Sequence, residues 1–331
     1  MKCFLRLCLY SLLLLVIAAG VVYWKFLQEA QPVDLSGQQE PKIVEIVEGS
    51  SAQGIGEQLE REGLIRSALV FRLLVRYGEH GANLKTGHFS ISPSSTPQEI
   101  IAQLEEGKVL VRKITFPEGL TIEEMGAIVE RAQIGTADEF NRMAKTEGKQ
   151  FGDFPADLLG YLLPDTYEIP WKCTVRDMVE IMTARFDELA RPLVDKKSPL
   201  DLASTVVLAS LVEREAQVDS ERPIIAGVYI NRLAIDMLLQ CDATIQFALG
   251  KQKEQLLYSD LDIESPYNTY RHPGLPPGPI CSPGLAALQA AAHPQKSDYL
   301  FYVRNGIKND GSHVFSRTEG EHNAAVNKYL R

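Results

Sequence analysis

Two glutamates at the end of an apolar segment are the strongest candidates for acid–base chemistry in this chain. Residues 202–216 read LASTVVLASLVEREA, which predicts a nearly apolar helix that ends in Glu213 and Glu215. Side chains two positions apart on a helix point about 200° apart, so the two carboxyl groups cannot face the same site.

The side chains that precede each glutamate on its own face differ in size. Counting back three, four and seven positions from Glu213 gives small side chains: Ser210, Ala209 and Val206. The same count from Glu215 gives bulky ones: Val212, Leu211 and Leu208. We expect the small face to leave room for a ligand and the bulky face to pack a core, which makes Glu213 the candidate for a general acid. From the residues alone, Glu213 paired with Arg214 or Arg222 as a structural ion pair remains an open alternative.

A proline-rich loop supplies polar and aromatic groups. Residues 265–284 read SPYNTYRHPGLPPGPICSPG and hold 6 of the 18 prolines of the chain. Proline fixes φ and removes a backbone donor, so this segment is stiff and not helical. Its side chains include groups that stack on or hydrogen-bond to a polar ligand: Tyr267, Asn268, Tyr270, Arg271 and His272. Asp242 and Thr244 follow Gln240 in a second polar segment that is suited to orienting a sugar.

Composition and missing motifs exclude several classes of protein. The net charge of −9 disfavours a nucleic-acid-binding protein. The sequence contains no CxxC, GxSxG, SxxK or Gly-rich phosphate loop, so metal, redox, serine-hydrolase, penicillin-binding and nucleotide sites lack their residues. We expect neither a metal nor a cofactor. One disulfide among Cys173, Cys241 and Cys281 is possible, and the sequence does not choose the pair.

The N-terminus predicts an uncleaved membrane anchor. Residues 7–24, which begin with Leu7 and end in Trp24, carry no charge over 18 positions, a length that can span a bilayer. Lys2 and Arg6 precede this stretch, which places the N-terminus in the cytoplasm and the remainder outside. We interpret residues 1–27 as cytoplasmic stub and anchor, and the polar residues 28–41 as a linker.

A weak internal repeat follows the linker, and the overall class is α+β. Glu48-Gly49 recurs as Glu118-Gly119 at a constant offset, each time between a β-branched strand and an amphipathic helix. The pattern of residues 42–112 resembles a LysM-like module, a type that binds N-acetylglucosamine polymers. Residues 113–155 would form a second small α+β module. Residues 156–331 would form a mixed α/β catalytic domain.

The chain resembles the endolytic murein transglycosylases of the MltG (YceG-like) family. The matching segments include GYLLPDTYEIP (160–170), LASLVEREA (208–216), GVYINRL (227–233) and the whole of 265–284. The resemblance implies a single-pass lyase of the inner (cytoplasmic) membrane, with its catalytic domain in the periplasm or otherwise outside the membrane. Such an enzyme cuts nascent peptidoglycan between N-acetylmuramic acid and N-acetylglucosamine, leaves 1,6-anhydro ends and limits strand length alongside the peptidoglycan synthases, including penicillin-binding proteins.

Site residues also follow from the resemblance. The family's catalytic glutamate falls on Glu213. By inference, the substrate-binding residues come from the two polar segments: Gln240, Asp242, Thr244, Ser265, Tyr267, Asn268 and Tyr270. The chain departs from the family pattern in three places. Leu159 replaces a glutamate, Cys241 with Ala243 replaces a hydroxyl residue and a proline, and TIQFALG replaces a valine–isoleucine–tyrosine run.

Two other functions remain open at this stage. A hydrolytic muramidase would use Asp242 or Glu215 as a second carboxylate, since hydrolysis needs two such groups. A membrane-anchored scaffold of the wall-synthesis complex would bind glycan without cutting it.

Overall fold

The protein is described here by a computed structural model that covers residues 2–78, 83–107 and 110–330. It divides into two compact units. Unit 1 contains the residues up to Arg112 together with Glu168–Lys172, and unit 2 contains Lys113–Tyr167 and the residues from Cys173 onward. The proposed boundaries at 41, 112 and 155 stay predictions.

The N-terminal helix α1 (Lys2–Glu29) carries the apolar stretch. Its part Tyr10–Glu29 has a mean hydropathy of 1.9, is unburied, and is long and apolar enough to cross a membrane. Hydrogen bonds to Asp34 order the segment that follows α1. The carboxylate of Asp34 accepts hydrogen bonds from the backbone N–H groups of Ser36 and Gln39, and from the hydroxyl group of Ser94. The predicted linker is therefore partly ordered on unit 1.

Unit 1 is a strand–helix–helix–strand unit with an added helix. Its elements are β1 (Lys42–Ile46), α2 (Ala52–Arg61), α3 (Ala68–Tyr77), β2 (Gly87–Ile91) and α4 (Pro97–Glu106). β1 and β2 pair antiparallel with Val44 opposite Phe89, and both side chains are buried with those of the helices in one apolar cluster. A capping box of Thr96 and Glu99 is present at the start of α4.

A second pair of strands lies where the chain leaves and re-enters unit 1. β3 (Val111–Thr115) and β4 (Thr166–Pro170) pair with each other. A boundary between the units falls within each of these strands, after Arg112 in β3 and after Tyr167 in β4. The glycine of the repeated Glu-Gly pair has nearly the same backbone φ in both copies, 81° at Gly49 and 79° at Gly119. Only glycine adopts this left-handed conformation readily. The turn therefore explains why the glycine recurs.

The remaining elements of unit 2 are mostly helical. They are α5 (Ile122–Arg131), α6 (Ala137–Thr146), α7 (Val175–Leu189), α8 (Leu202–Glu215), α9 (Arg222–Ala234), α10 (Asp242–Leu249), α11 (Leu285–Ala292), β5 (Phe301–Arg304), β6 (His313–Ser316) and α12 (Glu319–Tyr329). Short 3₁₀ turns lie at Gly148–Phe151, Arg191–Leu193, Asp219–Glu221 and Tyr258–Asp262. β5 and β6 form an antiparallel hairpin, with Tyr302 opposite Phe315.

Helix α8 is the central element of unit 2, and it corrects one expectation. Every residue from Thr205 to Val212 is buried, so the small face does not open onto a ligand space. The hydroxyl group of Ser210 instead accepts a hydrogen bond from the backbone N–H of Ile280 at 3.1 Å. Small side chains allow another backbone to approach closely, and here they admit the end of the proline-rich loop.

Ser282 lies just before α11 but does not cap it. Helix α11 begins at Leu285 with Gly284 at its N-cap. The hydroxyl group of Ser282 is buried and accepts a hydrogen bond from the N–H of Gly160 at 3.3 Å. The backbone of Ser282 forms an isolated antiparallel β-bridge with Leu120. The hydroxyl of Ser282 is thus used to join loops rather than to cap the helix.

The disulfide that the sequence left possible does not form among the three cysteines. Cys173, Cys241 and Cys281 are all buried, and each carries a free thiol.

Candidate functional site

Glu213 lies at the last turn of α8 with its carboxyl group held from two sides. Its side chain is only 7% exposed. Oε2 accepts a hydrogen bond from the backbone N–H of Gly284 at 3.0 Å, and Nη2 of Arg222 lies 3.4 Å from Oε1. A carboxyl group with defined donors on both oxygens is fixed in orientation, as a proton-transferring group requires.

A second carboxyl group stands beside Glu213. Nη2 of Arg222 also lies 4.0 Å from Oε2 of Glu118, and Asp219 pairs with Nη1 of the same guanidinium. Partial burial raises the pKa of Glu118, and the neighbouring charge of Glu213 raises it further. Three carboxyl groups thus surround one buried arginine.

Glu215 faces a different set of partners, as the helical spacing predicts. The thiol of Cys241 donates to its Oε1 at 3.2 Å, and the hydroxyl group of Tyr302 donates to its Oε2 at 3.1 Å. The hydroxyl group of Tyr229 lies 2.8 Å from that of Tyr302 and completes a buried chain. Burial raises the pKa of Glu215, although its two hydrogen bonds oppose the rise.

A cleft of about 510 Å³ opens beside Arg214, the residue after Glu213, and Glu213 itself does not line it. Its walls come from the start of α5, the end of α8, α10 with the turn after it, and the proline-rich loop: Gly119, Thr121, Glu123, Glu124, Arg214, Ala243, Gln246, Phe247, Gly250, Lys251, Gln252 and Ile280. Arg214 donates from Nη1 to the carbonyl oxygen of Gly119 at 3.3 Å. Gly119 also adjoins Glu213, because a Cβ atom built on Gly119 would lie 3.7 Å from Cγ of Glu213. The carboxyl-bearing side chain and the cleft therefore share the wall at Gly119.

The predicted sugar-binding residues divide into an internal set and an exposed set. Asn268 is fully buried, and its amide group donates to the carbonyl oxygens of Leu261 and Ile263. Thr244 is also fully buried and donates to the carbonyl oxygen of Cys241. These two side chains hold the loops in shape.

The exposed set lies at the start of α10 and on the proline-rich loop. Gln240 and Asp242 are exposed, and the hydroxyl group of Tyr270 donates to Oδ1 of Asp242 at 2.5 Å. This bond, with burial, raises the pKa of Tyr270. Ser265 accepts the N–H of Tyr267 within the loop.

Tyr267 belongs to a second, smaller pocket. This pocket of about 290 Å³ is lined mainly by apolar and aromatic side chains, among them Leu159, Tyr161, Phe247 and Tyr267. The rings of Phe247 and Tyr267 lie 4.8 Å apart. Phe247 lines both the pocket and the larger cleft, so the two spaces adjoin the same side chain. Leu159, one of the departures from the family pattern, makes this pocket apolar.

The sequence reasoning missed Glu118, Tyr302 and the backbone N–H of Gly284 as partners of the two glutamates. Arg222 was considered only as a surface ion-pair partner, yet its side chain is 10% exposed. Glu118 was noted only as part of the Glu-Gly repeat. Nothing about its counterpart Glu48 indicated that Glu118 belongs to a functional site. In the part of the chain that the structure covers, no group of three or more His, Cys, Asp and Glu side chains is arranged to hold a metal ion.

Comparisons with known proteins agree with one another. The YceG-like family profile matches residues 44–328. An endolytic murein transglycosylase of Bacillus subtilis is 32% identical over 337 residues, which cover 96% of this chain and 91% of that protein. One of Streptococcus pneumoniae strain D39 is 29% identical over 93% of this chain and 62% of its own length. A solved structure of a YceG-like protein of Listeria monocytogenes matches with a TM-score of 0.57 and 33% identity, over 86% of this chain and 98% of that one. The chain belongs to the YceG-like family.

Proposed function

We propose that this protein is an endolytic murein transglycosylase with Glu213 as its single acid–base group. The observation that carries the assignment is the position of Glu213, whose carboxyl group is oriented by Gly284 and Arg222 and whose side chain adjoins Gly119, a residue that lines the 510 Å³ cleft. The family membership and the names of the relatives support the substrate, which is the glycan strand of peptidoglycan.

The reaction needs one proton to be given and one to be taken back. Glu213 gives its proton to the oxygen of the bond between N-acetylmuramic acid and N-acetylglucosamine, and that bond breaks at C1 of the muramic acid. The C6 hydroxyl group of the same sugar then attacks C1, and the carboxylate of Glu213 takes its proton. The nucleophile is tethered within the substrate, so proximity replaces a second protein group and a 1,6-anhydro end results.

Glu215 is poorly placed for the second carboxylate of a hydrolytic muramidase. Both of its oxygens already accept hydrogen bonds, from Cys241 and Tyr302, and it shares no partner with Glu213. Asp242 is exposed and bonded to Tyr270, so it is the remaining candidate for that alternative.

We also propose where the enzyme lies and how it meets its substrate. Helix α1 anchors the chain in the inner membrane with the N-terminus in the cytoplasm, and both units lie on the periplasmic side. Unit 1, with its strand–helix–helix–strand pattern, is a LysM-like module that binds N-acetylglucosamine-containing strands. The peptidoglycan synthases supply the nascent strand, and the cut limits its length.

The decisive experiment is digestion of nascent and mature peptidoglycan, with products identified by mass spectrometry. We expect internal cuts and anhydro-muramic ends from the wild type. The Glu213→Gln variant should bind glycan normally but lose at least about a hundredfold in turnover, because general acid–base groups contribute that much. Glu130→Gln, an exposed carboxylate on α5, serves as the matched control and should leave turnover unchanged.

The other outcomes of the same digestion are informative. Reducing ends in place of anhydro ends would identify a muramidase. Glycan binding without any cutting at any pH would identify a scaffold. Near-normal turnover of Glu213→Gln would remove Glu213 from the mechanism.

A further inference from the structure

We propose that the 290 Å³ pocket, which adjoins the cleft at Phe247, binds one N-acetylglucosamine ring of the glycan strand. The inference rests on the proposed function, and it names the sugar that this part of the site takes. The pocket lies wholly within unit 2. It is enclosed by the loop 155–161, the first half of α8, α10 and the proline-rich loop.

The walls of the pocket are held in place by packing that needs no ligand. Pro277 and Pro279 line one side, and proline restricts the backbone there. Gly160 packs against the same loop, because a Cβ atom built on it would lie 2.8 Å from Cγ of Pro279. On another side, the ring of Tyr161 lies 5.2 Å from that of Phe186 in the core. A ligand therefore loses little binding free energy to ordering this site.

The lining matches the apolar faces of a sugar ring. Phe247 and Tyr267 are half-buried, and their ring centroids lie 4.8 Å apart. Leu159, one of the departures from the family pattern, adds aliphatic surface together with Val207. A pyranose carries C–H groups on its faces and hydroxyl groups around its rim, so aromatic and aliphatic walls bind the faces while a few polar groups bind the rim. The methyl group of the acetamido substituent is apolar as well.

Two polar groups are available for the rim of the sugar. Asp157 is exposed, and its Oδ1 accepts a hydrogen bond from the N–H of Leu159 at 2.9 Å. The hydroxyl group of Tyr267 lies beside Gly278, 2.9 Å from the position of a Cβ atom built there. A carboxylate accepts hydrogen bonds from sugar hydroxyl groups, and a phenol both donates and accepts them.

The charge of Asp157 selects between the two sugars of peptidoglycan. N-acetylglucosamine is neutral, whereas N-acetylmuramic acid carries a carboxylate on its lactyl group or on the stem peptide attached to it. A fixed negative charge at the pocket disfavours a negative ligand. The pocket should therefore take the neutral sugar.

Phe247 gives the strand a continuous path from the cleft to the pocket, since its side chain lines both. The cleft in turn shares Gly119 with Glu213. A strand whose bond lies at Glu213 can therefore continue past Phe247 into the pocket. An enzyme that cuts inside a strand holds sugars on both sides of the bond, and the pocket supplies one of these positions.

The direct test is methyl NMR of the full chain in detergent micelles, titrated with the trimer of N-acetylglucosamine. Leu159 and Val207 supply methyl groups at the pocket, and Val179, buried in α7, supplies a control. We expect saturable shifts of the Leu159 and Val207 signals and a constant Val179 signal. Leu159 and Val207 signals that do not move would overturn the proposal, whatever the trimer does at unit 1.

Two variants test the place of the sugar within the pocket. Tyr267→Ala removes a ring from the wall, and Gly278→Ala puts a methyl group 2.9 Å from the Tyr267 hydroxyl group. Each should weaken the binding of the trimer, read at the Leu159 and Val207 signals, by about tenfold. Tyr258→Ala is the matched control, because Tyr258 is 92% exposed on a 3₁₀ turn, and it should keep the wild-type affinity. Wild-type affinity in both pocket variants would contradict the proposal.

The choice of sugar is tested with N-acetylglucosamine and N-acetylmuramic acid, two monosaccharides that differ by the lactyl group. The neutral sugar should bind several-fold more tightly at the pocket signals, and Asp157→Asn should narrow the difference by removing the charge while keeping an acceptor for the N–H of Leu159. Equal affinities in the wild type would refute the assignment to N-acetylglucosamine. An unchanged difference in Asp157→Asn would refute the role of the charge.

Kinetics on peptidoglycan strands separate this proposal from the proposed function. Tyr267→Ala should raise KM about tenfold and leave kcat near the wild-type value, because the pocket binds a sugar away from the reacting atoms. If the wild type produces no anhydro ends, the proposed function fails, and the NMR titration still tests the pocket. If anhydro ends form but the pocket signals do not shift, the function stands and the sugar-binding pocket is refuted.

Discussion

Tyr302 and Cys241 show how a side chain outside the proposed chemistry fixes the end of α8. Each donates a hydrogen bond to one oxygen of Glu215, and Tyr229 extends the chain of hydrogen bonds. A buried carboxyl group without these donors would be costly. Cys241, which stands where the family carries a hydroxyl residue, keeps a donor at this position.

This arrangement makes a prediction at the scale of one residue. Tyr302→Phe removes the donor to Oε2 of Glu215 and should lower the free energy of unfolding by about 1–3 kcal/mol. Tyr258→Phe is the control, because Tyr258 is 92% exposed. Denaturant unfolding at fixed pH measures both, and equal midpoints for the two variants would show that the hydrogen bond contributes nothing.

At the scale of elements, the backbones of two loops pack closely against α8, so its small side chains do not form an open face. Gly160 has φ 84°, and a Cβ atom built on it would lie 2.6 Å from Cγ1 of Val206 and 2.8 Å from Cγ of Pro279. The loop 160–164, the small residues of α8 and the proline-rich loop therefore meet at a glycine. The prolines keep this loop stiff, so the segment next to Glu213 needs little ordering when a ligand binds.

Substitution of Gly160 measures this packing. Gly160→Ala should lower the free energy of unfolding by about 2–4 kcal/mol, because backbone strain and overlap with Val206 both contribute. Gly274→Ala is matched in conformation, with φ 85°, but has nothing within 4 Å of its Cβ position. The difference between the two variants in thermal or denaturant unfolding isolates the overlap, and no difference would mean that the loop simply moves away.

At the scale of the whole molecule, the apolar helix α1 begins unit 1, and the chain passes through each of the two units twice. Glu168–Lys172 belongs to unit 1 although it follows part of unit 2 in sequence. Within unit 1, Lys172 pairs with Glu45, and the N–H of Trp171 donates to the carbonyl oxygen of Leu110. A fragment that starts at residue 113 would leave this strand without its partners.

A fragment that starts at Gln31 removes α1 and keeps unit 2 and the rest of unit 1. We expect the full chain in the membrane fraction after alkaline carbonate extraction and the Gln31 fragment in the soluble fraction. The fragment should retain the thermal unfolding transition of the detergent-solubilised full chain, because Tyr10–Glu29 has no burial within the structure. A full chain released by carbonate would contradict the anchor.

The sequence alone determined the features that depend on near neighbours. The capping boxes of Thr96 and Thr121, the hairpin of β5 and β6, the separation of Glu213 from Glu215 and the family motif all follow from local spacing. Only the tertiary structure decided what the small face of α8 contacts and which carboxyl group lies beside Glu213. Those contacts join residues about 70 to 100 positions apart, such as Ser210 with Ile280 and Arg222 with Glu118. Periodicity reports which side of a helix is apolar but not which distant segment covers it, so the partner of Glu213 emerged only from the folded chain.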